Sequence, residues 1–328
     1  MEVVMKNVFA GASEYDRFGP WIDEVKQLED VPRLYRSHPI DFSAERLVLK
    51  VPRNITHRNA TPDMDLYDHL IMLGQDLLTV LSRRMGTPSR KGSADSGKGY
   101  DVVAIQFADV VAIRDALNLL DGRLTVSTTE GTPISMSYNG SAGDVVAAFV
   151  SALREVACTK PASPVGLALL AAGGPLARTA VSGLGPVDRF LETAFLEAHD
   201  ANPHLSAWAA HGSRRLVPEA AGMQGVVQRL KHALSPMTLH GALFAADEAA
   251  MEVFGRHSWL MRARVPTYST SHLVIPFGAP DRLDLAPHPL YPDVTVATIG
   301  AGKWKREFPV PRDSVTEQML RDAASKIR

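Results

Sequence analysis

The chain writes one pattern of residues twice. Residues 105–154 align with residues 275–324 at a fixed offset of 170, without a gap. Ile105/Ile275, Phe107/Phe277, Ala116/Ala286, Leu120/Leu290, Thr125/Thr295, Val126/Val296, Thr128/Thr298 and Val145/Val315 are identical. Ordinary composition yields about three matches over such a length. The conservative pairs add more weight, because Ile113/Leu283, Leu124/Val294, Tyr138/Phe308, Phe149/Met319 and Val150/Leu320 keep the apolar pattern in step. A gapless repeat of this kind restricts the chain to two units of similar fold.

The bulk properties fit that restriction. At 328 residues the chain has room for two domains of about 100–150 residues each. Its 35 basic and 36 acidic residues leave a net charge of −1, which excludes the strongly basic footprint of a nucleic-acid binder. A single cysteine, Cys158, excludes an intrachain disulfide framework and suits a reducing compartment. The N-terminal residues lack the apolar region of a signal peptide. The most apolar stretch runs from Val165 to Ala177 before Arg178 breaks it. That is short of the roughly 20 residues a spanning helix needs, so it reads as a buried helix. The expected location is the cytoplasm, with peripheral membrane contact left open.

In the first copy, residues 69–82 read as an apolar run, a Gly-Gln-Asp turn and a second apolar run, a hairpin with positive φ available at Gly74. The loop Met85–Gly99 holds Gly, Ser, Lys and Pro and no core-forming pattern. Tyr100–Phe107 and then Val110, Val111 and Ile113 give strand candidates. Leu124–Thr129 and Ile134–Tyr138 alternate apolar with small polar residues across a turn, the period of a half-buried hairpin. Ser141 can cap a helix over Ala142–Val156, with Val145, Phe149 and Leu153 on one face.

The second copy repeats this order. His240–Arg256 is a hairpin around Ala246-Asp247-Glu248, and Leu273–Phe277, Val294–Ile299 and Trp304–Phe308 supply later strands. Ser314 and Glu317 form a capping box for a last helix whose apolar face is Val315, Met319, Ala323 and Ile327. Pro276, Pro280, Pro287 and Pro289 crowd the middle of this copy, and a central strand there would lose ladder hydrogen bonds. The sheet is therefore expected to be broken or edge-like at that point. Helices are expected over Val187–His199 and Gly222–Ala233. The domain boundaries follow as 1–158 for the first copy with its lead-in, 159–185 for a partly helical Pro/Ala/Gly-rich linker, and 186–328 for the second copy.

A hairpin, further antiparallel strands and a closing helix, over about residues 45–157 and again over 235–328, resemble pleckstrin-homology-like domains of the bacterial type. The resemblance implies an α+β fold class: two bent antiparallel sheets, each capped by a C-terminal helix. It also implies binding of peptides, partner domains or lipids, and rarely catalysis.

Catalytic motifs are absent from the sequence: there is no nucleophile elbow, P-loop, HExxH or CxxC. No catalytic residue, metal site or cofactor is assigned. Asp63, Asp65 and Asp68 could form an acid/base or cation cluster, or simply a polar turn. His199, His204 and His211 lack the three- or four-residue spacing that puts two ligands on one helix face.

The binding candidates are basic. Arg83, Arg84, Arg90 and Lys91 bracket the loop of the first copy, while Arg256, Arg262 and Arg264 surround Trp259 in the second. Arginines around an aromatic residue suit an anionic lipid surface; equally, Trp259–Met261 could continue a strand with the arginines outside. The expected function is non-catalytic: a tandem scaffold docking a protein partner or its own copy, without nucleic acid or a small-molecule cofactor. The alternatives are a peripheral anionic-lipid sensor and an enzyme with a site between the copies.

Overall fold

The apolar runs of the first half become an antiparallel sheet in the computed structural model, which describes residues 13–84, 99–181, 184–219, 236–262 and 268–327. The chain forms two compact units that alternate along the sequence. One takes in Met1–Phe107, Leu120–Gly122 and Met136–Phe149; the other takes in Ala108–Leu119, Arg123–Ser135 and Val150–Arg328. The fold is α+β, with several antiparallel sheets and four α-helices among the described residues. The helix expected over Gly222–Ala233 lies outside the described residues, as does the expected loop apart from Gly99.

In the first unit, β1 (Asp23–Glu24), β2 (Leu47–Pro52), β3 (Tyr67–Leu73), β4 (Leu77–Arg83) and β5 (Tyr100–Gln106) pair in chain order. The predicted hairpin is β3–β4, but Gly74 turns the chain without positive φ. One face of the sheet buries Val48, Leu70, Met72 and Leu81 with Phe18, Val31 and Tyr35 from the lead-in segment. The Tyr35 hydroxyl donates to the Asp68 carbonyl at 2.8 Å, satisfying a polar group that the core would otherwise strand.

The remaining strands are β6 (Val110–Asn118), β7 (Asp121–Thr128), β8 (Ile134–Asn139), β9 (Ser206–His211), β10 (Arg214–Leu216), β11 (Met237–Leu239), β12 (Ala242–Ala246), β13 (Ala250–Gly255), β14 (Leu260–Arg262), β15 (Ser269–Pro276), β16 (Arg282–Pro287), β17 (Val294–Ala301) and β18 (Trp304–Pro311). The helices are α1 (Gly143–Ala157), α2 (Pro164–Gly173), α3 (Arg189–Ala201) and α4 (Val315–Ile327).

At the offset of 170 the elements fall in step: β5 on β15, β6 on β16, β7 on β17, β8 on β18 and α1 on α4. In the second unit β6, β15, β13, β12 and β9 are neighbours in that order, and β16, β17 and β18 form a separate three-stranded sheet. The equivalent hairpin turns meet: Lys303 N donates to Thr129 O at 2.8 Å and its Nζ to Glu130 Oε2 at 2.6 Å. Gly302 makes this approach possible, with φ of +58° and space for no side chain, since a Cβ would stand 2.6 Å from Thr129 O.

The helices follow the expected spans with a shifted face. On α1 the buried residues are Val146, Phe149, Val150, Leu153, Val156 and Ala157, so the stripe passes through Val146 rather than Val145. On α4 Met319 and Ala323 are buried as expected, whereas Val315 and Ile327 are exposed and Thr316 and Glu317 take their place. The apolar stretch of the linker is α2, short and buried among Trp208, Phe277 and Leu320. No described helix is long and apolar enough to cross a membrane. Gly166 of α2 lies so close to the Phe277 carbonyl that a Cβ would stand 2.1 Å from its oxygen. Gly166→Ala is expected to destabilise the chain by about 1–3 kcal/mol in urea unfolding, whereas Leu167→Ala, at an exposed neighbour, shifts it by less than about 0.5 kcal/mol.

Candidate functional site

Arg83 and Arg84 stand where β4 ends. Arg83 Nε and Nη2 donate to Asp68 Oδ1 at 2.9 and 2.7 Å, and Arg84 Nε donates to Asp101 Oδ1 at 2.6 Å. Arg90, Lys91 and Arg264 lie outside the described residues. Arg256 is buried; its Nη2 donates to Val187 O at 3.1 Å and its guanidinium lies 4.5 Å from the Phe190 ring centre. Trp259 packs among Phe244, Phe308 and His211, at 5.5–6.1 Å between ring centres. Of Arg256, Trp259 and Arg262, only Arg262 is exposed.

The acidic cluster is dispersed into local bonds. Asp63 accepts from the Thr61 hydroxyl, Asp65 pairs with Arg33 and Asp68 with Arg83. His199 bonds Leu205 O, His204 is exposed and His211 is buried. No three metal-ligating side chains converge among the described residues.

Two buried polar groups in the second unit were not legible as sites. Arg154 of α1 donates to Asp247 Oδ2 at 2.5 Å and to Glu252 Oε1 at 2.7 Å, while His272 Nε2 lies 2.7 Å from Glu252 Oε2. Asn202 and the Ala249 and Ala250 amides complete Asp247. Burial opposes both carboxylate charges, yet these donors outweigh it and hold both carboxyls below the usual range. Burial pushes the neighbouring Cys158 thiol up to about 12, so it stays protonated. The second group is His211 with His240. His211 Nδ1 meets Thr316 Oγ1 at 3.2 Å, and the ring also meets the His240 backbone; neither His240 ring nitrogen has a hydrogen-bond partner among the described residues. Burial, with Arg214 and Arg256 adding repulsion, lowers His211 to about 3 and His240 to about 4.

Among the described residues β16 is one of the strands that end a sheet, and it borders a groove. Leu283 is buried against Met319, Leu320 and Ala323 of α4, and Leu285 packs on the same core. Beyond them lies a groove of about 430 Å³, floored by residues 281–285 and walled by Arg321, Ala324, Ser325 and Ile327 of α4. A second hollow of about 180 Å³ continues it past Pro287 and Arg312, and Leu285 and Arg321 line both.

The backbone parity of β16 is fixed. His288 N donates to Val294 O at 2.9 Å, and the register pairs Ala286 with Val296, Asp284 with Thr298 and Arg282 with Gly300. In an antiparallel ladder these alternate residues exchange hydrogen bonds with the partner strand. Leu283, Leu285 and Pro287 therefore turn their backbone groups outward, toward the side on which β16 has no neighbour among the described residues. Pro287 loses no ladder bond by lacking an N–H there, which is why the expected proline-rich edge can exist at all.

The first copy shows the same position occupied. β6, equivalent to β16, pairs on that side with β15, from Ile113 opposite Val274 to Asn118 opposite Ser269. At the offset of 170, Ile113 corresponds to Leu283, Asp115 to Leu285 and Arg154 to Ala324. Arg114 secures the docked strand through Ser271 Oγ at 3.1 Å and the His257 carbonyl at 2.6 Å.

Comparison of the chain with protein-family models, with curated proteins and with solved structures finds no match.

The buried groups give two stability predictions. Arg154→Met strands two buried carboxylates and is expected to cost about 3–5 kcal/mol, measured by urea unfolding at pH 7. His211 and His240 hold folded-state values below the ordinary 6.5, so the unfolded chain binds the extra protons. Stability then falls as the pH drops from about 6.5, by about 1.4 kcal/mol per pH unit for each histidine. Combining His211→Gln with His240→Gln is expected to remove roughly 2 kcal/mol per unit of that slope between pH 6 and 5; an unchanged slope would assign it elsewhere.

Proposed function

We propose that this chain is a non-catalytic docking protein made of two pleckstrin-homology-like halves, and that it captures an extended segment of a partner protein by strand addition to β16. Strand addition draws affinity from main-chain hydrogen bonds and specificity from alternate side-chain pockets. The observation that carries the reading is the outward-facing edge of β16 beside the α4 groove, at the place where β6 carries β15. The pleckstrin-homology-like reading is supported by element order. The first half runs through β2, β3, β4 and β5, then β6, β7 and β8, then α1; β9, β12, β13 and β15, then β16, β17 and β18, then α4 repeat it, with three short strands, β10, β11 and β14, interposed as a sheet of their own.

A protein partner suits this site better than a lipid surface suits the basic loops. Trp259 is committed to an aromatic cluster, and Arg256 is buried with its guanidinium on the Val187 carbonyl and the Phe190 ring, so neither is presented to headgroups.

Panning a random decapeptide library on the wild-type chain tests the proposal, with counter-selection on Leu285→Pro. Leu285 N–H faces outward, so proline there removes a docking bond without touching the β16–β17 ladder. Enriched peptides with period-two apolar patterning, lost on the variant, are the expected result. A library that yields nothing specific to the wild type would end the strand-addition reading.

A further inference from the structure

We propose that the segment added to β16 runs antiparallel to it and carries an acidic residue opposite Leu285, followed two positions later by an aliphatic residue opposite Leu283. This rests on the strand-addition reading above and specifies its ligand: an acidic–x–aliphatic stretch of a partner protein.

The register comes from the copy in which the edge is filled. On β6, His272 stands opposite Asp115 and Val274 opposite Ile113, and these positions become Leu285 and Leu283 at the offset of 170. Residues directly opposite in an antiparallel pair share a sheet face. An occupant of β16 in this register therefore points the two equivalent side chains toward α4, where Leu283 and Leu285 already point.

The aliphatic position is set by the lining at Leu283. Leu283 is buried, and the groove beside it is walled by Ala324 and Ile327, of which Ile327 is exposed. Val274, which is fully buried opposite Ile113, shows what such a position takes.

The acidic position is set by Arg321. Its side chain is 61% exposed, and one end is tied to Glu317 Oε1 at 2.5 Å. Glu317 is itself anchored, accepting from the Thr295 hydroxyl and the Asp313 amide at 2.6 Å each. The guanidinium is thus held at the groove by one of its five N–H donors. Because Arg321 and Leu285 line both hollows, the residue opposite Leu285 is the one that meets it. The filled copy uses the same device one helical turn further on: Arg154 of α1, equivalent to Ala324, binds Glu252 of the strand next to β15. A capping-helix arginine closing on a carboxylate of the docked sheet is therefore already present once in this chain.

The test uses labelled peptides copying Ser269–Pro276, with His272 retained, His272→Glu or His272→Lys, titrated against the full chain by fluorescence anisotropy. The expected result is binding at least tenfold tighter for the Glu peptide than for the Lys peptide. Arg321→Gln should bring the two within twofold, and Leu285→Pro should abolish binding of both. Arg321 is largely exposed, so its variant folds if the unfolding curve is unchanged; Arg312→Gln, at the far end of the groove, serves as the control that keeps the preference.

Equal binding of all three peptides, lost in Leu285→Pro, overturns the acidic preference and leaves strand addition standing. Binding that survives Leu285→Pro, or no binding at millimolar peptide, overturns the proposal, and an empty library selection would then remove strand addition as well. A dimer in sedimentation that Leu285→Pro dissociates would assign the groove to a second copy, and overturns it too.

Discussion

The antiparallel ladder between β6 and β15 is the interaction on which the second unit depends. It joins Ile113 to Val274 and Asn118 to Ser269, residues separated by nearly half of the chain. Loop closure over such a distance must be met before any of these bonds forms. The ladder is accordingly reinforced. Arg114 reaches across it to Ser271 and His257, and Arg154 ties α1 to Asp247 and Glu252 behind it. Burial brings the Arg114 guanidinium down to about 10, with the nearby Arg306 adding repulsion, yet it remains charged at neutral pH. The equivalent turns at Thr129 and Lys303 add a second point of contact in the same unit.

An edge strand is a template for another chain, and proteins commonly pair it, cover it or guard it. This chain does so in one copy and not visibly in the other. β6 is paired by β15, whereas β16 keeps its outward side free of any described strand and has a groove where a second layer would lie. Pro287 and the alternating charges Arg282 and Asp284 limit indiscriminate pairing along it. The strand still turns the backbone groups of Leu283 and Leu285 outward, beside a helix that brings Arg321 to the groove.

Much of the local structure was readable residue by residue. Ser314 and Glu317 announced the start of α4, and Ser314 Oγ does accept from Glu317 N at 3.1 Å, although Glu317 returns to the Asp313 amide. The four prolines marked a broken or edge-like strand, and they fall at the end of β15, in the turn, at the end of β16 and beyond it. On α1 Phe149 and Leu153 are buried as expected and only Val145 gives way to Val146, because period alone does not fix which edge of a stripe meets the sheet. The groove was not readable. Leu283-Asp284-Leu285 has the pattern of any half-buried strand, and Arg321 that of any exposed helix residue. The basic loop around Trp259 drew attention by composition, yet composition does not distinguish a ring at the surface from one packed on Phe244 and Phe308.

The sequence by itself determined the periods, the breaks and the duplication: which stretches alternate, where helices begin, and that strand, strand, strand and helix recur at one offset. These are local properties, set by side-chain patterning and backbone restriction within a few residues. Only the tertiary structure decided which edge is paired. Two copies with matching strands offer equivalent backbone donors and acceptors, and hydrogen bonding carries no label for its partner. The surroundings of the two copies differ: α1 presents Arg154 to Asp247 and Glu252 behind β15, while α4 has Ala324 at that position. In the folded chain β6 is an interior strand, paired on that side by β15, and β16 ends its sheet among the described residues.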